Sequence, residues 1–203
     1  SSLLEAMQER QVTIEGDLFE IEEPFMVIAT QNPVELEGTF PLPEAQLDRF
    51  LLKIKMGYPS QEEEVLILQR FKKEDPIENL NSVIDKENIL KLREEVKEVG
   101  LAEELQDYIV RLSKATRENK QLELGLSPRG SLAIMKASMA YAYIKGRDYV
   151  LPDDIQFLFP YVSEHRLILN DNSELQGVKK EEVIKGILND ITVPVEGEID
   201  VNS

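Results

Sequence analysis

Three polar residues stand where a folded chain could use them on anions or water: Asn32, Arg49 and Arg129. Arg129 lies in Leu126-Ser127-Pro128-Arg129-Gly130-Ser131, which reads as a helix start. Ser127 is a good N-cap, because its hydroxyl can accept from the first free amide donors. Pro128 suits the first helical position, where no amide donor is missed. Arg129 then falls on the first turn, where the helix dipole is already positive, and a cation there costs stability unless an anion answers it. Two answers are open: an ion pair with nearby Glu123, or an anion from outside the segment. Arg49 closes a short helix at Leu47-Asp48-Arg49-Phe50. It can complement the helix dipole, worth ~0.3–1 kcal/mol, or it can be presented to a phosphate in a neighbouring subunit. The second use suits a guanidinium, which stays charged and offers forked donors. Asn32 follows the apolar run Phe25-Met26-Val27-Ile28-Ala29-Thr30, just past the carboxyl end of a buried strand. Ligands bind at that edge in open α/β sheets. Its amide could orient a water or hold a phosphate oxygen; a plain turn asparagine before Pro33 is the other reading.

Few other residues could carry chemistry. His165 is the single histidine and there is no cysteine. Histidine clusters, thiolate metal sites, disulfides and cysteine nucleophiles are therefore excluded. A structural role fits His165, which sits among apolar neighbours, and no metal site is expected. Asp153-Asp154 reads as the acidic pair of a helix N-terminus. The glutamate runs read as solvated helix faces. The net charge of −16 repels nucleic acid and anionic membranes, and no local basic patch offsets it. With 6% aromatic residues, not interleaved with basic ones, single-strand stacking is unsupported. No apolar run has membrane-spanning length. The absence of cysteine suits a reducing compartment, and a cytoplasmic protein is expected.

The elements that must position these residues fall into two parts. Residues 1–10 carry a helix pattern, without an initiator methionine, so a fragment of a longer protein is expected. Residues 11–21 read as a hairpin turning at Gly16-Asp17. Residues 25–30 read as a strand buried on both faces of a parallel sheet. A loop with Gly38, Pro41 and Pro43 leads to a short helix at 44–49, and residues 50–56 read as a second strand by alternation. Strand signals nearly vanish after Gly57-Tyr58-Pro59. Helices are expected near 60–73, 85–98, 102–119, 128–145, 152–164 and 178–190, and short strands near 165–169 and 191–195. Ser60 and Glu63 have the form of a capping box. The expected architecture is an α/β piece at 1–57 followed by an all-α domain at 58–203, mostly helical overall.

Taken together, the motifs resemble a known family. The run Leu3-Leu4-Glu5-Ala6-Met7-Gln8-Glu9-Arg10-Gln11-Val12-Thr13-Ile14, then Ala29-Thr30-Gln31-Asn32-Pro33, then residues 38–50 (GTFPLPEAQLDRF) closely resemble MoxR-type AAA+ ATPases. Ala115-Thr116-Arg117, Ser127-Pro128-Arg129, Gly146-Arg147-Asp148-Tyr149-Val150, Pro152-Asp153-Asp154-Ile155 and His165-Arg166 fit in the same order. The resemblance implies the end of a P-loop ATPase core with its pre-sensor 1 hairpin at 11–21, followed by a helical lid. It implies a sensor 1 role for Asn32, orienting the hydrolytic water. Arg49 would be the arginine finger reaching the next subunit's nucleotide, and Arg129 the sensor 2 arginine contacting its own. It further implies ATP and Mg²⁺ as cofactors of the full-length protein, a ring (a hexamer) and a von Willebrand A-domain partner. Its work would be chaperone-like remodelling of proteins or maturation of complexes.

The chain contains no G-x-x-x-x-G-K-[ST], so it has no phosphate-cradling loop. The acidic Mg²⁺-holding strand that the family carries upstream is also missing. The fragment alone is thus expected to bind no cofactor and to hydrolyse no ATP. A non-enzymatic acidic helical adaptor, binding partners through helix faces, is the alternative. A magnesium chelatase relative shares the core logic but not the MoxR-like runs.

Overall fold

The computed structural model describes residues 6–7, 9–14, 16–31, 43–72 and 75–194. Asn32 lies outside the described residues, as do most of the amino-terminal helix pattern and the loop through Gly38 and Pro41.

The hairpin is present. Strand β1 (Gln11–Ile14) runs antiparallel to β2 (Asp17–Glu20), with Val12 opposite Phe19 and Thr13 opposite Leu18. Gly16 sits at φ +97°, a conformation that a side chain would strain. The runs expected as strands at 25–30 and 50–56 form no ladder among the described residues. A strand exists through its neighbours' amides and carbonyls, and no described segment pairs with these two. Met26, Ile28, Ile54 and Met56 accordingly stand exposed. Lys53 instead donates its backbone N–H to the Tyr161 carbonyl at 2.9 Å, which lays the 50–53 segment against a helix end.

Beyond the short helix α1 (Glu44–Leu47), the chain is helical. Helix α2 (Gln61–Phe71) begins with the expected capping box: Ser60 Oγ accepts from the Glu63 N–H at 3.3 Å, and the Ser60 N–H donates to Glu63 Oε2 at 2.8 Å. No residue of α2 is buried. A 3₁₀ turn at Pro76–Asn79 leads to α3 (Lys86–Lys97), capped by Asp85.

The core forms between α4 (Glu103–Glu118), α5 (Pro128–Ile144), α6 (Pro152–Ser163) and α8 (Lys180–Asp190). Leu105, Tyr108, Leu112, Ile134, Ile155, Phe159, Val162 and Ile184 are almost fully removed from water there. Each such side chain contributes about 1.5–3 kcal/mol on burial. The spacing of 105, 108, 109 and 112 is the helical stripe that the sequence displays.

Two short elements were not expected. Strand β3 (Leu122–Leu124) pairs antiparallel with β4 (Ile168–Leu169), which realises the short strand anticipated near 165–169. Helix α7 (Asp171–Leu175) starts from an Asn170 side chain accepting from the Ser173 N–H at 2.9 Å. Residues 191–194 form no strand.

The acidic pair at the start of α6 divides its work. Asp153 is exposed, whereas Asp154 is buried and receives a forked ion pair from Arg147, with Nη1 and Nη2 each 2.7 Å from a carboxylate oxygen. Asp154 Oδ2 also accepts from the Leu151 N–H at 2.8 Å. Breaking a buried pair strands its partner, so Asp154→Ala is expected to cost about 3–5 kcal/mol in urea unfolding. Asp153→Ala, which forfeits only a dipole interaction, should cost at most ~1 kcal/mol. Equal losses at the two positions would contradict this division.

Candidate functional site

The start of α5 is held by the loop that precedes it. A Cβ on Gly125 would lie 2.6 Å from Arg117 N and Thr116 C, so only glycine allows the loop to press against the end of α4. Thr116 Oγ1 then accepts from the Leu126 N–H at 2.9 Å and donates to the Ser113 carbonyl at 2.6 Å. Arg117 Nε donates to the Leu126 carbonyl at 2.6 Å. These bonds fix where Pro128 and Arg129 begin the helix.

Ser127 does occupy the N-cap position, with extended backbone, and Pro128 follows at the first helical position. The expected side-chain cap is absent: Ser127 Oγ is buried without a partner among the described residues. The reason is local. The Gly130 N–H that a cap would satisfy donates instead to the Ser127 carbonyl at 2.9 Å.

Arg129 finds its anion outside the segment. Its Nη1 lies 2.8 Å from Asp48 Oδ2, so the ion pair is with Asp48 and not with Glu123. Asp48 is the residue just past α1, and its other oxygen, Oδ1, accepts from Arg166 Nε at 2.9 Å. One carboxylate therefore joins two guanidinium groups of different character. The Arg129 side chain is 55% exposed and the Arg166 side chain 3%.

Arg166 is anchored several times over. Nη2 donates to the Phe50 carbonyl at 2.6 Å and to the Asp48 carbonyl at 3.1 Å, and Nη1 reaches the carbonyls of Leu51, at 3.2 Å, and Val162. Burial pushes its pKa below the ordinary arginine value, the Asp48 carboxylate opposes that shift, and nearby Arg129 adds to it. Arginine stays charged through such shifts.

His165 has the structural role anticipated for it. Its Nε2 lies 3.0 Å from the Phe50 carbonyl, to which it donates when it carries the ring proton, and 2.8 Å from Arg166 Nη1, from which it accepts when it does not. Nδ1 is buried without a partner. Burial, with Arg166 beside it, lowers the histidine pKa from 6.5 to about 4, against the opposing pull of the Phe50 hydrogen bond.

Arg49 stands next to Asp48 in the same turn. Its Nε and Nη1 are buried and have no hydrogen-bond partner among the described residues. Buried donors are nearly always satisfied, so an unmet guanidinium calls for an acceptor. Arg129 is bound to the Asp48 carboxylate, Arg49 follows Asp48 in sequence, and both side chains present donors only. That donor set fits an oxyanion such as a phosphate. Among the described residues no cluster of three or more His, Asp or Glu could hold a metal ion.

Asp48 and Arg166 are the residues that sequence reasoning passed over. Asp48 appeared only inside the quoted run ending at Phe50, and Arg166 only beside His165. The misplaced Arg129 cation was the signal that an acid was needed; its partner stands 81 residues away in sequence.

Comparison with known proteins places this arrangement. Residues 1–52 match the model of the ATPase family associated with various cellular activities (AAA), and residues 114–187 match the AAA lid domain. The chain thus belongs to the AAA+ ATPases. Chaperone MoxR1 of Mycobacterium tuberculosis is 42% identical over 96% of this chain and 53% of its own length. The uncharacterized protein YeaC of Bacillus subtilis is 48% identical over 97% of this chain and 61% of its own. A crystal structure from Cytophaga hutchinsonii, described as a candidate ATPase, superimposes with a TM-score of 0.88 at 37% identity, covering 95% of this chain and 61% of that one. Within the AAA+ class, this chain belongs to the MoxR type. It spans between about half and three-fifths of the length of these relatives.

The two arginines on Asp48 should separate in a stability measurement. Arg166→Ala should cost about 3–5 kcal/mol, as loss of a buried, multiply bonded ion does. Arg129→Ala should cost no more than ~1 kcal/mol, as for an exposed pair. Losses of similar size would refute the distinction.

The histidine adds a pH dependence of known sign. Between pH 6.5 and about 4 the unfolded chain binds a proton at His165 that the folded chain refuses. Stability is therefore complete above pH 6.5 and falls as the pH drops, by up to ~1.4 kcal/mol per pH unit from this group. His165→Gln keeps a donor for the Phe50 carbonyl and removes the titration, so urea unfolding from pH 7 to 4.5 should show a shallower decline. An unchanged slope would rule this out.

Proposed function

We propose that this chain is the C-terminal portion of a MoxR-family AAA+ ATPase, whose ATP binding and hydrolysis drive chaperone-like remodelling of proteins or maturation of complexes. The observation that supports the reading is the turn at Asp48, where Arg129 is bound to the Asp48 carboxylate and the next residue, Arg49, has buried Nε and Nη1 donors without a partner among the described residues. On this reading residues 1–57 end the ATPase core and residues 58–203 form its lid. Arg129 contacts phosphate oxygens of the nucleotide held by its own subunit. The amide-rich start of α5 faces the same oxygens and favours negative charge. Arg49 reaches the nucleotide of the next subunit and stabilises charge that develops during phosphoryl transfer. Asn32 orients the attacking water.

Lid movement would then relate nucleotide state to subunit motion. A hexameric ring, a von Willebrand A-domain partner and a cytoplasmic location complete the reading. Among the described residues no helix is long and apolar enough to cross a membrane. Nucleotide and Mg²⁺ use is general to AAA ATPases. The described residues offer donors for phosphate but no acidic set for the metal, so the metal's ligands would come from elsewhere in the assembled protein.

In the polypeptide at its relatives' full length, Arg49→Ala should leave ATP binding nearly intact and lower turnover by about 10³-fold or more. Full turnover by that variant would remove the finger assignment. The present chain by itself should show no magnesium-dependent ATP hydrolysis; turnover abolished by Asn32→Ala would overturn that expectation.

A further inference from the structure

The two ion pairs at Asp48 are unequal in a way that suggests a function for the carboxylate itself. Arg166 is buried and bound to Asp48 Oδ1, to the carbonyls of residues 48, 50 and 51 and to that of Val162. It cannot leave without stranding several acceptors. Arg129 is more than half exposed, and Asp48 Oδ2 is its only side-chain acceptor among the described residues. It can leave at small cost, because an exposed pair is worth ~0–1 kcal/mol. When it leaves, Asp48 keeps its charge compensated by Arg166.

We propose that Asp48 is a positioning residue that holds the Arg129 guanidinium beside α5 and releases it to a polyphosphate. This inference rests on the reading of Arg129 as a nucleotide-contacting residue. Asp48 and phosphate are then competing acceptors for one side chain, and the carboxylate sets how readily the arginine transfers.

The test is ATP affinity measured by calorimetry on the full-length polypeptide. Asp48→Asn retains an oxygen for Arg166 Nε and discharges the competitor for Arg129. ATP affinity should tighten about two- to five-fold. In an Arg129→Ala background, where affinity is weakened, adding Asp48→Asn should change nothing further. Unchanged or weaker affinity in the folded single variant, or the same gain in both backgrounds, overturns the inference. Unchanged affinity in Arg129→Ala alone overturns the underlying reading instead.

Should Asp48→Asn not fold, the wild-type protein decides. With ¹⁵N-labelled arginine, saturating ATP should shift the Arg129 guanidinium signals and leave those of Arg166 in place. Arg129 signals that do not move while ATP binds would refute the transfer.

Discussion

A guanidinium taken out of water must have its donors met, and in this chain that requirement falls on Arg166. Four backbone carbonyls and the Asp48 carboxylate meet it, and most of them come from residues 48–51. The 48–51 turn must therefore lie against the end of α6. Neighbouring contacts extend the same seam: the Lys53 N–H bonds to the Tyr161 carbonyl, and the Lys53 and Lys55 ammonium groups sit 3.1 and 3.0 Å from Glu164 Oε1. Everything proposed for the site depends on this seam, because it puts Asp48 where Arg129 can reach it.

The position of Arg129 has its own chain of causes. Gly125 allows a close approach, Thr116 and Arg117 grip the Leu126 backbone, and the helix then starts at Pro128. A cation on the first turn opposes the dipole by ~0.3–1 kcal/mol. An exposed ion pair returns a similar amount. The two nearly cancel, which leaves Arg129 close to indifferent between partners. An arginine fixed more strongly would hold the fold better but could not exchange acceptors.

Legibility in the sequence followed the range of the interactions concerned. The helices from α2 onward were readable because capping residues and the 3.6-residue period are local; Ser60 with Glu63, and the stripe from Leu105 to Leu112, show this directly. The hairpin was readable because its turn and both strands lie within ten residues. Residues 25–30 and 50–56 have strand composition, yet pairing is a property of neighbours and not of composition, and no ladder forms among the described residues. At the site, Arg129 was legible as an electrostatic anomaly. Its partner was not, because Asp48 satisfies every local expectation of an acid in a short polar turn. The Asp48–Arg166 contact spans 118 residues, and nothing at either end announces it.

The same geometry explains why Arg49 is left over. Asp48 is the acid adjacent to it, and both carboxylate oxygens are already engaged, Oδ1 by Arg166 and Oδ2 by Arg129. The carbonyls of Asp48, Phe50 and Leu51 in the same turn accept from Arg166. These acceptors serve to fasten the turn to the helices, while Arg49 Nε and Nη1 have no partner among the described residues. A buried unpaired cation weakens a fold unless an acceptor is supplied from elsewhere. On the proposed reading that acceptor is the phosphate of an adjoining subunit. The turn would then spend its own oxygens on its attachment, leaving one guanidinium free for a partner that only assembly provides.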